Sequence, residues 1–183
     1  MISKRITIPN LITMLRILGT VALLFPTSFS VPFYVIYTLC GITDILDGAI
    51  ARATKSTSQF GAKLDSIADL LFYGVTLIKI FPTLWKRLHK GIWLFVAVII
   101  LVRIASYTVA AVKYHRFAAL HTIANKLTGL MIFCIPYIIK FSFAAIFCWI
   151  IAFVSFCSSA EELTIHLRNK EYLQSQSSVF QKK

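Results

Sequence analysis

Hydrophobic residues in this chain form long runs, separated by short polar stretches and prolines. Several runs approach the roughly 20 residues that an α-helix needs to cross the hydrocarbon core of a bilayer. Backbone groups must be hydrogen-bonded within lipid, so such runs predict helices. We therefore expect six membrane-spanning helices, at residues 11–27, 31–52, 59–81, 91–113, 121–139 and 141–163.

Turn residues and prolines suggest where these helices end. A turn signal at residues 26–28 follows the first run, and the third run is expected to end at Pro82. Pro136 lies inside the fifth run, where it predicts a kink. The segment at residues 2–9 is short, basic and partly apolar, and two readings stay open: an interfacial helix or a frayed terminus.

Composition supports the membrane assignment. The chain is 58% hydrophobic and only 14% charged, whereas soluble domains have about 25% charged residues. The predicted fold class is therefore an all-α integral membrane protein. We expect one six-helix domain at residues 1–165 and a polar cytoplasmic tail at residues 166–183. Lys4 and Arg5 precede the first run without a clear cleavage site after it, so we expect this run to be retained as a span.

The formal net charge of +12 is concentrated at the borders of the apolar runs. This placement favours anionic lipid headgroups as partners over nucleic acid. Basic residues at the predicted inner ends, Arg16 among them, outnumber those at the outer ends, which favours both termini in the cytoplasm. Lys79, Lys140 and the basic loop at residues 86–90 count against that orientation. The four cysteines show no metal-binding or redox spacing and are expected to be buried apolar residues.

Four of the seven acidic residues lie close together in the sequence. Asp44 and Asp47 are three residues apart and share one face of the second predicted helix. Asp65 and Asp69 are four apart and share one face of the third. A short loop joins these two helices, so they should be antiparallel neighbours. The four carboxylates can then converge near the cytoplasmic side of the membrane.

Clustered carboxylates in a membrane repel one another unless cations lie among them. Their hard oxygen atoms suit Mg²⁺, Mn²⁺ or Ca²⁺, and four carboxylates are enough to hold two ions. No histidine or cysteine belongs to the cluster, which argues against zinc. Paired divalent ions recur where phosphoryl groups are transferred.

The residues between the acids also fit a phosphate-containing ligand. Gly48 and Ala51 leave a shallow helix surface, and the guanidinium of Arg52 can bind phosphate oxygens. Gly61 shares a face with Asp65, where it permits close helix packing or close approach of a nucleotide. Taken singly, the small residues are usually explained by helix packing, and Arg52 is usually explained as an anchor at the membrane interface.

Together these positions form one long motif. It reads Asp44-x2-Asp47-Gly48-x2-Ala51-Arg52-x8-Gly61-x3-Asp65-x3-Asp69. The motif resembles the complete signature of the CDP-alcohol phosphatidyltransferases. The resemblance implies transfer of a phosphatidyl group from CDP-diacylglycerol to an alcohol, with release of CMP and with Mg²⁺ or Mn²⁺ as cofactor. By motif position, the four aspartates would bind metal, Asp69 would also act as general base, and Gly48, Ala51, Arg52 and Gly61 would line the CDP site.

The first predicted span resembles the opening of the phosphatidylglycerophosphate synthases at residues 8–13 and at Arg16. That resemblance implies sn-glycerol-3-phosphate as acceptor. Arg103 and Lys126 are similar to positions that hold the acceptor phosphate in those synthases, and Arg116 is a further candidate. An alternative for Arg103 is pairing with a motif carboxylate.

Two departures leave other acceptors open. A second lysine is usual just before position 126, where this chain has residues 123–125, Ile-Ala-Asn. Residues 64–74 are also similar to phosphatidylserine synthases. Serine, inositol phosphate or another alcohol therefore remain alternatives.

A rival of another class is an ion or proton transporter, because intramembrane acids often mark transport paths. Clustering of the acids at one end of two helices favours the enzyme. The family resemblance further implies a homodimer in the cytoplasmic membrane, multi-pass, with its active site facing the cytoplasm.

Overall fold

The computed structural model describes residues 8–54, 58–114 and 123–168, apart from the side chains at positions 49, 51, 52, 59 and 123. Regular structure in these ranges is entirely helical. The helices are α1 Ile8–Ala22, α2 Val31–Ala53, α3 Gln59–Arg87, α4 Lys90–Tyr114, α5 Ile123–Ile138 and α6 Ala144–Arg168. This confirms the predicted all-α class and the six helices.

Helices α3, α4 and α6 are long and apolar enough to cross a membrane, as expected for an integral membrane protein. Helices α1 and α5 are shorter apolar segments. Six separate spans therefore stay an expectation from the sequence, whereas three helices of the described part of the chain meet the length and hydropathy that a span requires.

Several helix ends differ from the prediction. Helix α1 ends at Ala22, before the predicted end at residue 27. The backbone N–H groups of Leu24 and Phe25 bond to carbonyls three residues earlier, as in a turn. Helix α3 passes through Pro82 and continues to Arg87, although we expected it to stop at the proline. A proline costs the helix one backbone hydrogen bond, and helices in membrane proteins tolerate that loss where local adjustment satisfies the freed carbonyl.

Serine side chains begin two of the helices. Ser30 Oγ accepts a hydrogen bond from the backbone N–H of Phe33 at the start of α2 (3.4 Å). Ser58 Oγ accepts one from the backbone N–H of Gly61 at the start of α3 (2.9 Å). Such caps satisfy N–H groups that have no partner within the helix. The Ser58 cap fixes the start of α3 and hence the turn on which Asp65 lies.

The described chain forms two compact units, divided between Thr83 and Leu84. In the first unit α1 packs against α2, and a Cβ on Gly19 would lie 2.8 Å from Cys40 Sγ, so glycine permits the close approach of these helices. Buried aromatic rings join α2 to α3. Tyr37 stacks on Phe72 with 5.2 Å between ring centroids.

In the second unit α6 packs against both α4 and α5. The ring of Phe95 on α4 contacts Trp149 and Phe156 on α6. The structure leaves the cysteines free, and Cys40 and Cys148 are buried as expected. Cys134 is half-buried and Cys157 is exposed, so the expectation of four buried cysteines is wrong at these two positions.

Three basic side chains bind main-chain carbonyl groups where helices end. Carbonyls in the last turn of a helix have no partner within the helix, and cations are favourable there. The bonds run from Lys79 Nζ to the carbonyls of Leu24 and Pro26, from Arg87 Nη1 to those of Ile139 and Lys140, and from Lys113 Nζ to those of His166 and Leu167. Lys79 and Arg87 lie on the predicted outer side and so counted against a cytoplasmic location of both termini. Their bonds to carbonyl groups give them a structural role instead.

The interfacial segment proposed for residues 2–9 lies largely outside the described residues, which begin at Ile8. The polar tail lies outside them from residue 169 onward. Helix α6 includes residues 166–168 of that tail. The boundary at residue 165 therefore stays a prediction.

We expect Lys79→Met to lower the free energy of unfolding by about 1 kcal/mol, because two carbonyl groups lose a charged donor. The bonds are 2.9 Å and 2.6 Å long. Thermal unfolding of the purified protein in detergent measures the change. Lys86→Met on the same helix is the matched control, since Lys86 is exposed. Equal stability of the two variants would contradict the capping role.

Candidate active site

The four predicted aspartates lie together in the first unit. Asp44 and Asp47 belong to α2, and Asp65 and Asp69 belong to α3. Asp44, Asp47 and Asp65 each present an oxygen within 4.8 Å of the other two. Asp69 lies beside the same cation as these three acids. The sequence spacing thus predicted a convergence that the structure reproduces.

The shared cation is Arg16 of α1, which sequence analysis named as a basic border residue and as part of the family resemblance but did not pair with the acids. Its side chain is fully buried. Its guanidinium bonds to Asp44 and lies 2.5 Å from Asp65 Oδ1, 3.3 Å from Asp69 Oδ1 and 3.6 Å from Asp47 Oδ2. One guanidinium therefore contacts all four carboxylates and joins three helices.

Helix α1 contributes a second polar contact beside Arg16. The hydroxyl of Thr13 donates a hydrogen bond to Asp47 Oδ2 (2.8 Å). Thr13 lies three residues before Arg16, so both side chains point from the same face of the helix. An arginine and a threonine on one face of an otherwise apolar helix are the signal that could have found them, since a cation inside a span needs a partner.

The cluster is buried on one side and open on the other. The Asp47 side chain is 5% exposed, whereas those of Asp44, Asp65 and Asp69 are 39%, 45% and 41% exposed. Arg16 and Thr13 occupy the closed side. The three more exposed carboxylates can therefore reach a ligand that arrives from the open side.

The donor set fits divalent cations. The four carboxylates outnumber the single guanidinium beside them, so Arg16 can neutralise only part of the charge that they carry when ionised. All candidate ligand atoms are carboxylate oxygens, which suit Mg²⁺ and Mn²⁺. Asp44, Asp47 and Asp65 are the three residues whose oxygens are close enough to share an ion.

Two of the four predicted CDP-site residues, Gly48 and Gly61, belong to the part of the chain that the structure describes in full. Gly48 lies on α2, one residue past Asp47. Gly61 lies on α3, where an added Cβ would stand 2.8 Å from Asn10 Oδ1, so glycine lets the Asn10 side chain approach. The side chains of Ala51 and Arg52 lie outside the described part of the chain.

The predicted acceptor residues belong to the second unit. Arg103 donates hydrogen bonds to Ser159 Oγ (3.3 Å) and to Asn125 Oδ1 (2.8 Å), which are neutral side chains rather than motif carboxylates. Lys126 is exposed on α5. Arg116 lies outside the described residues.

Comparison with known proteins agrees with this geometry. The family model for CDP-alcohol phosphatidyltransferase matches residues 6–157. The chain belongs to this family. The matched range includes the four aspartates and Arg16, and it ends within α6.

Curated relatives share shorter stretches with the chain. A CDP-diacylglycerol–serine O-phosphatidyltransferase of Methanocaldococcus jannaschii is 43% identical over 74 residues, 40% of this chain and 34% of the relative. A CDP-diacylglycerol–glycerol-3-phosphate 3-phosphatidyltransferase of Pseudomonas fluorescens is 36% identical over 92 residues, 48% and 45% of the two chains. Another enzyme of a similar name, from Arabidopsis thaliana, is 40% identical over 87 residues, which are 42% of this chain and 35% of the relative. The matched stretch spans less than half of each relative. No solved structure gives a significant match.

Arg16→Met should make the protein depend on divalent cations for stability. In chelator the variant leaves four clustered carboxylates without a cation, which should cost about 2 kcal/mol relative to wild type, less than for a fully buried pair because three of the acids are partly exposed. Added Mn²⁺ should restore most of that loss, while wild type responds less. Thermal unfolding in EDTA and in Mn²⁺ measures both effects. Lys63→Met, an exposed change on α3, is the control. The same cation response in all three proteins would contradict the role of Arg16.

Proposed function

We propose that this protein transfers the phosphatidyl group of CDP-diacylglycerol to sn-glycerol-3-phosphate and releases CMP. The observation that carries the proposal is the acidic cluster of α2 and α3, which has the residue order of the family motif and is open on one side. Two of the relatives described above carry the name of this activity.

The aspartates would hold the cofactor. We propose two divalent ions, Mg²⁺ or Mn²⁺, with Asp44, Asp47 and Asp65 as ligands and Asp69 at the edge of the group. Bound there, the ions would supply positive charge that neutralises the diphosphate of the donor and favours the departure of CMP. The hard oxygen donors and the uncompensated negative charge of the cluster support this assignment.

Asp69 would act as general base. Its carboxylate is partly exposed and lies 3.3 Å from Arg16 Nη1, which holds it beside the other acids. It would accept the proton of the acceptor hydroxyl while that oxygen bonds to the phosphorus of the phosphatidyl group. The bond from phosphorus to the CMP oxygen breaks, and CMP leaves with the electron pair.

The helix surface beside the acids would bind the nucleotide. Gly48 and Ala51 would give the CDP moiety room on α2, and Arg52 would bind its phosphate oxygens. Gly61 would complete this surface on α3. Arg16 and Thr13 would keep Asp44 and Asp47 oriented from behind, on the side away from the ligand.

The second unit would bind the acceptor through its phosphate. Arg103, Lys126 and Arg116 are the proposed cationic partners. The neutral partners of Arg103 support this role, because a guanidinium without a directly bonded carboxylate retains its charge for a ligand. Serine is the second candidate acceptor, since a relative with 43% identity is named for it.

The protein would act as a multi-pass enzyme of the cytoplasmic membrane, with the active site facing the cytoplasm. A site near one membrane face lets the acyl chains of the donor remain in the bilayer while its nucleotide reaches water. Family resemblance and the apolar exposed surface of α4 and α6 support a homodimer surrounded by membrane lipids. Residues 1–165 would form the catalytic domain and residues 166–183 a cytoplasmic tail.

Release of CMP tests the proposal. Purified protein in detergent receives CDP-diacylglycerol and Mg²⁺ or Mn²⁺, with glycerol-3-phosphate, serine, inositol, inositol-1-phosphate or glycerol as acceptor. We expect release with glycerol-3-phosphate. Release with serine alone would contradict the acceptor and keep the chemistry, and silence with every acceptor would contradict both.

Asp69→Asn should lower kcat by about 10²–10⁴-fold, because the acceptor hydroxyl loses its base. The measurement is the same CMP assay, with protein shown to be folded by its thermal unfolding. Glu161→Gln, which removes an acid from α6, should keep wild-type activity and controls for the loss of one charge. Full activity of Asp69→Asn would exclude Asp69 as the base.

A further inference from the structure

A second group of buried polar side chains lies in the second unit, away from the acidic motif in the sequence. It joins Arg103 on α4, Asn125 on α5 and Glu162 on α6. Glu162 and its neighbours Ser158 and Ser159 are 0% exposed. A buried carboxylate carries a large desolvation cost, so its place in the fold calls for an explanation. The proposed reaction assigns Glu162 no role.

The contacts form a chain from the carboxylate to the guanidinium. Glu162 Oε2 accepts a hydrogen bond from Asn125 Nδ2 (3.3 Å), and Asn125 Oδ1 accepts one from Arg103 Nη2 (2.8 Å). Ser158 donates to the same amide oxygen (2.6 Å), and Ser159 accepts from Arg103 Nε (3.3 Å). Three helices thus hold one guanidinium.

Hydrogen-bond capacity fixes the direction of this chain. Arginine only donates and an ionised carboxylate only accepts, whereas an amide does both. Glu162 therefore requires the NH₂ group of Asn125, and this turns the amide oxygen toward Arg103. Without the carboxylate the amide can rotate and present its NH₂ group to the guanidinium, which repels it.

The intervening amide also keeps the two charges apart. Glu162 supplies a countercharge to Arg103 within the same network, but it makes no salt bridge to it in the described part of the chain. A direct pair would occupy the guanidinium with a bidentate carboxylate. Here Arg103 Nε and Nη2 are engaged, and Nη1 makes no hydrogen bond among the described residues. Arg103 is partly exposed, so Nη1 is available to an anion.

The far end of α6 is fixed as well. Lys113 donates to the carbonyls of His166 and Leu167 (2.8 and 2.9 Å), which ties the last turns of α6 to the end of α4. His166 Nε2 lies 3.8 Å from the second oxygen of Glu162.

We propose that Glu162 is a positioning residue for the acceptor: through Asn125 it holds Arg103 with Nη1 directed to the phosphate of a phosphorylated alcohol. This inference rests on the proposed function for the identity of the ligand. It assigns α6 a part in acceptor selection, because an acceptor without an anionic group gains nothing from an oriented guanidinium.

Glu162→Gln tests the role of the carboxylate, and Glu161→Gln is the matched control one residue away. Binding of sn-glycerol-3-phosphate to the full chain is measured by calorimetry without donor, and KM and kcat by CMP release. We expect Glu162→Gln to weaken acceptor binding and raise the acceptor KM by at least about tenfold. The donor KM and kcat should stay within about twofold of wild type, as should every value for Glu161→Gln.

A double variant separates positioning from folding. Asn125→Asp with Glu162→Gln keeps the net charge and the hydrogen bonds described above, since the new glutamine donates to the new aspartate, which accepts from Arg103. The carboxylate then pairs directly with the guanidinium. We expect wild-type thermal stability together with acceptor binding weakened by at least about tenfold.

The outcomes separate this inference from the proposed function. Unchanged acceptor binding by Glu162→Gln, equal losses in donor and acceptor parameters, or wild-type binding by the double variant would overturn the inference. No measurable binding of glycerol-3-phosphate by wild type up to about 10 mM would overturn it too. Wild type that binds glycerol-3-phosphate in a Glu162-dependent way but releases no CMP would contradict the proposed function alone.

Discussion

The contact of Arg16 with four carboxylates is the constraint on which the first unit depends. Like charges this close repel strongly in a medium of low dielectric constant, so α2 and α3 can bring their acids together only if a cation lies among them. Arg16 supplies one positive charge from α1, buried and held within 4 Å of every acid. It leaves an excess of negative charge on the open side. The same feature thus stabilises the three helices and keeps the site attractive to divalent cations.

Sequence analysis found the acids because helical periodicity is a local property. Spacings of three and four place Asp44 with Asp47 and Asp65 with Asp69 on common faces, and the short loop makes the helices neighbours. It named Arg16 but did not pair it with the acids, because that residue is 28 residues from Asp44. The polar face of α1 indicates that Arg16 needs a partner, but it does not indicate which helix supplies that partner. The passage of α3 through Pro82 was missed for a related reason: proline is a strong breaker in water and a weaker one in lipid. The extension of α6 to Arg168 also depends on distant partners, among them Lys113.

The two units balance clustered charge in different ways. In the first, the cation contacts the acids directly, and the acids are in excess. In the second, a neutral amide separates Arg103 from Glu162, and the two charges balance. The first arrangement suits a site that gathers cations, and the second suits a site that presents a cation to an anion. Basic residues outside these sites, such as Lys79 and Arg87, instead bind carbonyl groups at helix ends, so a count of basic residues overstates their value as indicators of orientation.

The spacing of these partners along the chain has a consequence for biogenesis. Helices leave the ribosome in order, so α1 reaches the membrane with Arg16 before Asp65, which follows 49 residues later, has been made. Likewise α4 carries Arg103 into the bilayer 56 residues ahead of Ser159. Each arginine must therefore be sheltered by the insertion machinery, by lipid phosphates or by water until its partners arrive. Truncation of α6 before Glu162 would leave the cation of Arg103 without the carboxylate that balances it in the complete helix.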